Sequence, residues 1–542
     1  MKFSRRRALE GATVAVGATL LGCGTDASPG DAGAMMFPDA APGSDAGPAG
    51  RDAGPAPTGP FRHGVASGDP LPDAVILWTR VSDQTGTVEV AWELASEPTF
   101  GAIARMGTAS TSAARDYTVK VDATGLSAGT TYYYRFRVGG ETSPVGRTRT
   151  APMGASARLR FAVCSCSSYA HGYFHGYRRI SERADLDAVI HLGDYIYEYG
   201  TREYGSLREY EPAHEIVSLD DYRARYAQYR SDPDLAEAHR QHPFICVWDD
   251  HETADNAWRE GAENHQPGEE GAYADRRAAA AQAYSEWLPI RDTLDADGHI
   301  FRSLRYGELL ELVMLDTRIF GRDQQLESST DPLLGAETRQ LLGEAQEAWL
   351  RERLSGSTAA WKVIGQQVMM GQFPQFVNTD AWDGYPAQRR RIFEHIEEND
   401  IRDVIVLTGD IHTSWAIDLA IDPFDATAYD PETGEGAVAV ELVCPGISSP
   451  GFPALVADTF YPRIEAESPH VKYVDLVQRG YFVLDVTPER AQVGFYHLRD
   501  VTAPYDGTET QVATLEVSRG VSHLSEIGAL DPLPASPPAL AP

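Results

Sequence analysis

With 542 residues, 42% of them hydrophobic, the chain is long enough to bury more than one core. Its 79 acidic against 47 basic residues give a formal charge of -32 at pH 7. That balance excludes nucleic acid as a partner, because a phosphate backbone needs basic patches to neutralise it. The same charge repels phosphate esters at long range, so a phosphate site on this chain must carry its own local positive charge. Metal ions are one source of it.

The first residues read as an address rather than as fold. Ser4-Arg5-Arg6-Arg7 precedes an uncharged stretch from Gly11 to Gly22 that is too short to span a bilayer. The paired arginines resemble a twin-arginine export signal, although Ala8 stands where that pattern prefers a large apolar residue. Leu20-Leu21-Gly22-Cys23 resembles a bacterial lipobox, whose cysteine is acylated and becomes the mature N-terminus. Residues 1–23 are therefore expected to export the chain to the periplasm or cell surface, with membrane contact only through a lipid anchor on Cys23. Residues 24–59 are Ala, Gly, Pro and Asp with almost no large apolar side chains, the composition of a disordered spacer.

Residues 60–152 predict an all-β domain. Ala74 to Arg80, Thr87 to Trp92, Tyr117 to Val121 and Thr131 to Val138 are β-branched and aromatic, with turn residues between them. Short strands at that spacing suggest an immunoglobulin- or fibronectin-like sandwich, and no cluster of catalytic residue types falls inside it. Residues 153–518 change to strands interleaved with helices, an α/β pattern. Apolar spacing of three to four residues predicts helices over Leu219 to Gln228, Tyr273 to Trp287, Glu337 to Leu354 and Gln388 to Glu398. The glutamate-rich stretch from Glu203 to Glu215 reads as a solvated loop, and residues 519–542, rich in Pro and Ala, as a loose tail. Of the cysteines beyond Cys23, Cys164, Cys246 and Cys444 read as small buried hydrophobes.

Four short apolar strands each stop at residues that can hold a metal. Leu159 to Val163 runs into Cys164-Ser165-Cys166, and Asp187 to Leu192 into Gly193-Asp194-Tyr195-Ile196-Tyr197. Phe244 to Trp248 runs into Asp249-Asp250-His251-Glu252, and Val404 to Leu407 into Thr408-Gly409-Asp410-Ile411-His412. Alignment in one sheet would gather these ends at one edge, where α/β folds place their chemistry. Thiolate, phenolate and imidazole suit a transition metal, and a phenolate favours Fe(III). Asp194, Asp250 and Asp410 offer carboxylate oxygen alone, which suits Ca(II). From chemistry alone Cys164 and Cys166 are equal candidates.

Gly193-Asp194-x-x-Tyr197, Asp250-His251-Glu252 and Gly409-Asp410-x-His412 resemble the metal-binding blocks of purple acid phosphatases and the wider metallophosphoesterases. Longer stretches are similar to the PhoD-like alkaline phosphatases: Phe61 to Pro70, Ser165-Cys166, Trp248 to Glu252, Leu315-Asp-Thr-Arg318 and Trp382 to Pro386. The resemblance runs from about residue 60 to residue 518. It implies a metallophosphoesterase-type β-sandwich core flanked by helices, preceded by the all-β domain. It also implies Fe(III) on Cys166, Asp194, Tyr197 and His412, and Ca(II) on Asp194, Asp250 and Asp410. The Ser-Cys order selects Cys166, and the Asp-x-x-Tyr spacing selects Tyr197 over Tyr195 and Tyr199. Asp250 stands where the purple acid pattern has Asn, and Asp410 where it has His, which makes the second site harder and argues against zinc.

The reaction expected is hydrolysis of phosphate esters by in-line attack of an activated water, with a monomeric chain as the catalyst. Catalytic roles fall to Asp250, to His251 as proton donor or phosphate contact, and to Arg318 as phosphate contact or buried ion-pair partner. Nothing in the motifs separates mono- from diesters, so a phosphodiesterase or phospholipase D-like enzyme acting on lipid or cell-wall substrates is the alternative. A surface binding protein with structural metals is the alternative of another class.

Overall fold

The computed structural model describes residues 59–291, 299–374, 376–503, 508–533 and 535–542. The export signal, Cys23 and all but the last residue of the spacer lie outside them.

Two sheets pack face to face at the centre. The larger has ten strands, in the order Leu524–Glu526, Glu509–Ser518, Arg490–Leu498, Gly480–Val486, Leu159–Cys164, Ala188–His191, Pro243–Cys246, Val65–Gly68, Ala74–Arg80 and Thr118–Thr124. The smaller has seven: Arg302–Tyr306, Leu310–Met314, Trp361–Gly365, Val404–Thr408, Ala437–Val443, Ser414–Ala420 and Val471–Asp475. Alternation with period two sorts their side chains. Leu310, Leu312 and Met314 join one buried cluster with Phe161, Val163, Val189 and Phe482, whereas Val313 and Leu315 belong to a second cluster. Helices cover the outer faces: Leu219–Arg230, Pro233–Gln241 and Tyr273–Trp287 feed the first cluster, and Gly343–Gly356, Pro386–Glu398 and Ala454–Glu467 the second.

The N-terminal β region keeps a core of its own, with Val75, Leu77 and Val119 packed against Val90, Leu94, Tyr134 and Phe136. One layer of this sandwich is a separate sheet built on Ile103–Thr111, Val88–Ala95 and Thr131–Val138. The other layer continues into the central sheet, because Val65–Gly68 pairs in parallel with Pro243–Cys246. Trp78 faces the other way and sends its Nε1–H to the Glu286 carbonyl at 2.8 Å.

Three of the four ligand-bearing strands are parallel neighbours in the ten-stranded sheet, joined by Ala162–Val189 and Val189–Phe244 pairings. The fourth, Val404–Thr408, lies in the seven-stranded sheet. The expectation of a single sheet edge is corrected: the ligand-bearing ends meet between two sheets, which a bridge between Ser165 and Gly446 ties together.

The helix expected from Glu337 begins at Gly343, because Gln388 Oε1 accepts from the amides of Leu341 and Leu342 and diverts them from a helical turn. Helix Pro233–Gln241 went unread although it carries an Asp232 cap and a proline in its first turn. The tail is not loose. Its strand Leu524–Glu526 pairs with Glu509–Ser518, and its end is pinned by Tyr133 Oη to the Ala539 carbonyl at 2.7 Å and by the Ala541 amide to Gln241 Oε1 at 2.8 Å. A Pro- and Ala-rich segment makes few bonds with itself, but side chains elsewhere satisfy its backbone.

Candidate metal centre

The strand ends approach each other closely. Gly193 has φ +111°, and a Cβ there would stand 2.5 Å from the Asp249 amide nitrogen, so only glycine lets these two loops touch. Past the strands the ladder continues, with the Cys166 amide donating to the Gly193 carbonyl at 3.1 Å and the Ser167 amide to the Asp194 carbonyl at 2.8 Å. Cys166, Asp194, Asp410 and His412 all adopt positive φ, between 55° and 65°. Such a backbone is costly for a non-glycine residue, on the order of 1–3 kcal/mol, and persists where the surroundings over-determine it.

These turns assemble three sets of donors, each with ligand atoms within 4.8 Å of one another: Cys166, Asp194 and His412; Asp194, Asp250 and His251; and Asp249, Asp250 and Asp410. The Tyr197 hydroxyl joins the first, 3.0 Å from Asp194 Oδ2, 3.2 Å from His412 Nε2 and 2.6 Å from Ser449 Oγ. His412 is oriented through Nδ1, 3.1 Å from the Pro450 carbonyl. Cys164 is in the apolar core, its sulfur 3.8 Å from the Ile190 carbonyl. The structure thus separates the two cysteines that chemistry alone did not. All six expected ligands converge, and Asp249 joins them.

Arg318 occupies a different place from a substrate contact. It is fully buried and paired with Asp249, Asp380 and Asp410, with Asp250 Oδ1 at 3.7 Å. Burial alone would lower its pKa, but these carboxylates outweigh burial and raise it. The sequence could not choose between phosphate contact and ion pair; the structure makes Arg318 the ion-pair hub that positions the carboxylates. Glu252 is a second organiser, accepting from the amides of Asp194 at 3.0 Å, Tyr195 at 2.5 Å and Asp249 at 2.8 Å.

His251 is held by Glu198, whose carboxylate lies 2.7 Å from Nδ1 and also accepts from the Asp255 amide and Asn264. Its ring packs on Tyr197, with centroids 4.2 Å apart, and near Tyr204 at 6.2 Å. Burial would lower its pKa, yet Asp250 and then Glu198 outweigh burial and raise it. The stretch from Glu203 to Glu215 is therefore more than a solvated loop. Its glutamates at 203, 209 and 211 are exposed, but Tyr204 and Tyr210 are buried beside the centre, and Glu215 pairs with the buried Arg276 at 2.7 Å.

Arg479 was not read from the sequence. Its Nε is buried with no hydrogen-bond partner among the described residues, and its charge, after burial and the charge of His412, lowers the pKa of His171 to about 4. His171 in turn packs edge-on to Tyr204 at 4.4 Å. Arg479 follows a strand end with no motif around it, so no sequence signal marked it.

Do these residues fit metal ions? Asp194 Oδ1 and Asp249 Oδ2 are buried without a hydrogen-bond partner among the described residues. Asp249, Asp250 and Asp410 share the one Arg318 guanidinium with Asp380, and the nearby imidazole is already matched by Glu198. Burial pushes Asp410 up to about 7 against the pull of Arg318, and burial followed by Asp194 raises both the Cys166 thiol and the Tyr197 phenol. Protons held this way are what a cation displaces when it binds. A buried, under-neutralised carboxylate cluster with a thiol, a phenol and an imidazole at one end fits a pair of cations of unlike hardness.

A family model described as PhoD-like phosphatase matches residues 161–495, and one described as its N-terminal domain matches residues 47–152. Alkaline phosphatase D of Bacillus subtilis (strain 168) is 39% identical over 481 residues, which cover 84% of this chain and 80% of that protein. A solved structure of PhoD superposes with a TM-score of 0.79 at 36% identity, over 88% of this chain and 94% of that one. With its catalytic and N-terminal regions both matched and most of its length shared with these relatives, the chain belongs to the PhoD-like phosphatase family.

Proposed function

We propose that this phosphoric-ester hydrolase works with Fe(III) held by Cys166, Asp194, Tyr197 and His412 and Ca(II) held by Asp194, Asp250 and Asp410. Family membership makes the chain a metal-dependent alkaline phosphatase of the PhoD type, acting on phosphate esters. The observation that carries the assignment is the sharing of Asp194 and Asp250 between adjacent donor sets of different chemistry. Asp249, with its free Oδ2, gives the carboxylate end room for a second hard cation.

When bound, two such ions supply positive charge for the phosphoryl group and lower the pKa of the attacking water. Water attacks phosphorus in line. His251, oriented by Glu198, is placed to give a proton to the departing alkoxide. Arg479 neutralises a non-bridging oxygen, the role that Arg318 is too buried to play. Arg318 and Glu252 hold the carboxylates and strand-end amides in place. No group of the protein needs to bond covalently to phosphorus.

Mild chelation tests the metals. A coloured protein is expected to lose activity, stay coloured, and recover with Ca(II) rather than Zn(II), because thiolate and phenolate hold Fe(III) while the oxygen site exchanges. A colourless enzyme fully active with zinc alone would overturn the metal assignment and leave the hydrolase reading standing. Export through residues 1–23 and anchoring at Cys23 complete the proposal. Cys23→Ser should release the protein from membranes, and lysines at Arg5 and Arg6 should trap active enzyme in the cytoplasm. Unchanged fractionation in both variants would sink the address.

A further inference from the structure

A cavity of about 510 Å³ opens beside the metal centre, walled by Phe373, Phe376, Ile411, Trp415, Phe452 and Phe460. Phe376 meets Phe460 edge-on at 4.9 Å, and Phe452 lies 5.8 Å from Phe460, so one end is an aromatic cage. Helix Ala454–Glu467 forms its outer wall, where Leu455 is 84% exposed. Nothing in the catalytic steps above uses this space.

Its position gives it a purpose. Three chain segments pass directly from the centre into the cavity wall. Asp380 pairs with Arg318, and Ala381 lines the cavity. Ile411 lines it between Asp410 and His412. Ser449 Oγ meets the Tyr197 hydroxyl, Pro450 orients His412, and Phe452 lines the cavity two residues later. The wall of this apolar, aromatic-lined space is therefore joined to the centre through three stretches of backbone.

We propose that this cavity binds an apolar substituent carried by the phosphate ester, so that the enzyme prefers amphiphilic phosphoesters over small polar ones. The inference rests on the hydrolase reading and narrows its substrate class. Apolar surface removed from water supplies the binding energy, and among the described lining residues Asn378, Asp383 and Thr459 are the polar ones, with no lysine or arginine to hold a second phosphate.

n-Alkylphosphonates from methyl to dodecyl, which carry the chain on phosphorus and are not hydrolysed, test this as inhibitors of 4-nitrophenyl phosphate turnover. Ki is expected to fall with chain length, by up to about fourfold for each methylene fully buried. Thr459→Trp, which crowds the cavity from an exposed position, and Leu455→Asp, which charges its lip, should flatten the series. Inhibition by methylphosphonate, which has no chain to place in the cavity, should be unaltered in both variants. A flat series in the wild type, or an equal slope in all three proteins, overturns the proposal. Calorimetric binding of the dodecyl compound reads the cavity independently, so an enzyme without turnover would sink the hydrolase reading and still decide this one.

Discussion

The N-terminal sandwich and the metal centre hang on the same ten-stranded sheet, yet they spend their polar residues in opposite ways. In the sandwich, carboxylate pairs stay near the surface: Arg137 is 51% exposed and meets Glu93 at 3.3 Å, Leu94 and Phe136 are buried among apolar neighbours, and the buried Arg147 donates to the backbone carbonyls of Gln241 and Ala184. At the centre, carboxylates are inside, around a fully buried Arg318. Left-handed residues differ in the same sense. Asp83 and Asp116 occupy turns of the sandwich, where such a backbone is common for Asp, whereas Cys166 and His412 hold theirs at buried strand ends. The centre is a place where folding stability has been exchanged for bound charge.

That contrast can be broken experimentally, and the largest effect should come from the shared ligand. Asp194→Ala should lower kcat by roughly a thousandfold or more, the scale of losing metal stabilisation of the transition state, with reduced content of both metals by elemental analysis. Next, Arg318→Met should destabilise metal-free protein by about 3–5 kcal/mol in urea unfolding, because it strands buried carboxylates. Arg137→Met, its exposed counterpart, should leave the denaturation midpoint unmoved. Leu94→Ala should cost about 2–5 kcal/mol of stability and leave kcat unchanged, which marks the sandwich as scaffold. Glu198→Gln keeps shape but loosens His251, so kcat should fall by about 10- to 100-fold with KM little altered. Its pH profile should also move to lower pH on the alkaline limb, since Glu198 favours the imidazolium.

The smallest effect is a titration remote from the centre. Burial, then the neighbouring Asp232, push Asp234 up to about 7 from its ordinary 3.8. Its folded-state pKa is raised, so the folded protein binds the extra proton. The associated stability is present at pH 4 and is lost as pH rises through 7. Asp234→Asn should therefore be the more stable protein at pH 8, by on the order of 1 kcal/mol, and lose that advantage at pH 4.

Much of the candidate centre was legible in the chain because its potential donors sit where strands stop, and strands announce themselves by apolar β-branched runs. Asp194, Asp250, Asp410 and His412 could be named for that reason, and helix Tyr273–Trp287 could be placed to the residue. Asp249, Glu198 and Arg479 could not. Asp249 stands in the strand-end run without a motif position of its own, and neither Glu198 nor Arg479 lies in any motif. Their roles depend on what lies within a few ångströms, which spacing along the chain does not report.

Local periodicity and residue chemistry, which act over a few neighbours, thus determined the strands, the longer helices and the identities of the donors. Tertiary structure decided the rest. It placed Val404–Thr408 in the second sheet, put Cys164 in the apolar core away from Cys166, and made Arg318 the ion-pair hub where the sequence had left phosphate contact open. It also folded the tail back onto Gln241 and opened an apolar cavity behind Ile411. Each of these rests on pairing, burial or charge balance between residues tens to hundreds of positions apart. Such terms are set only when the two sheets close on each other.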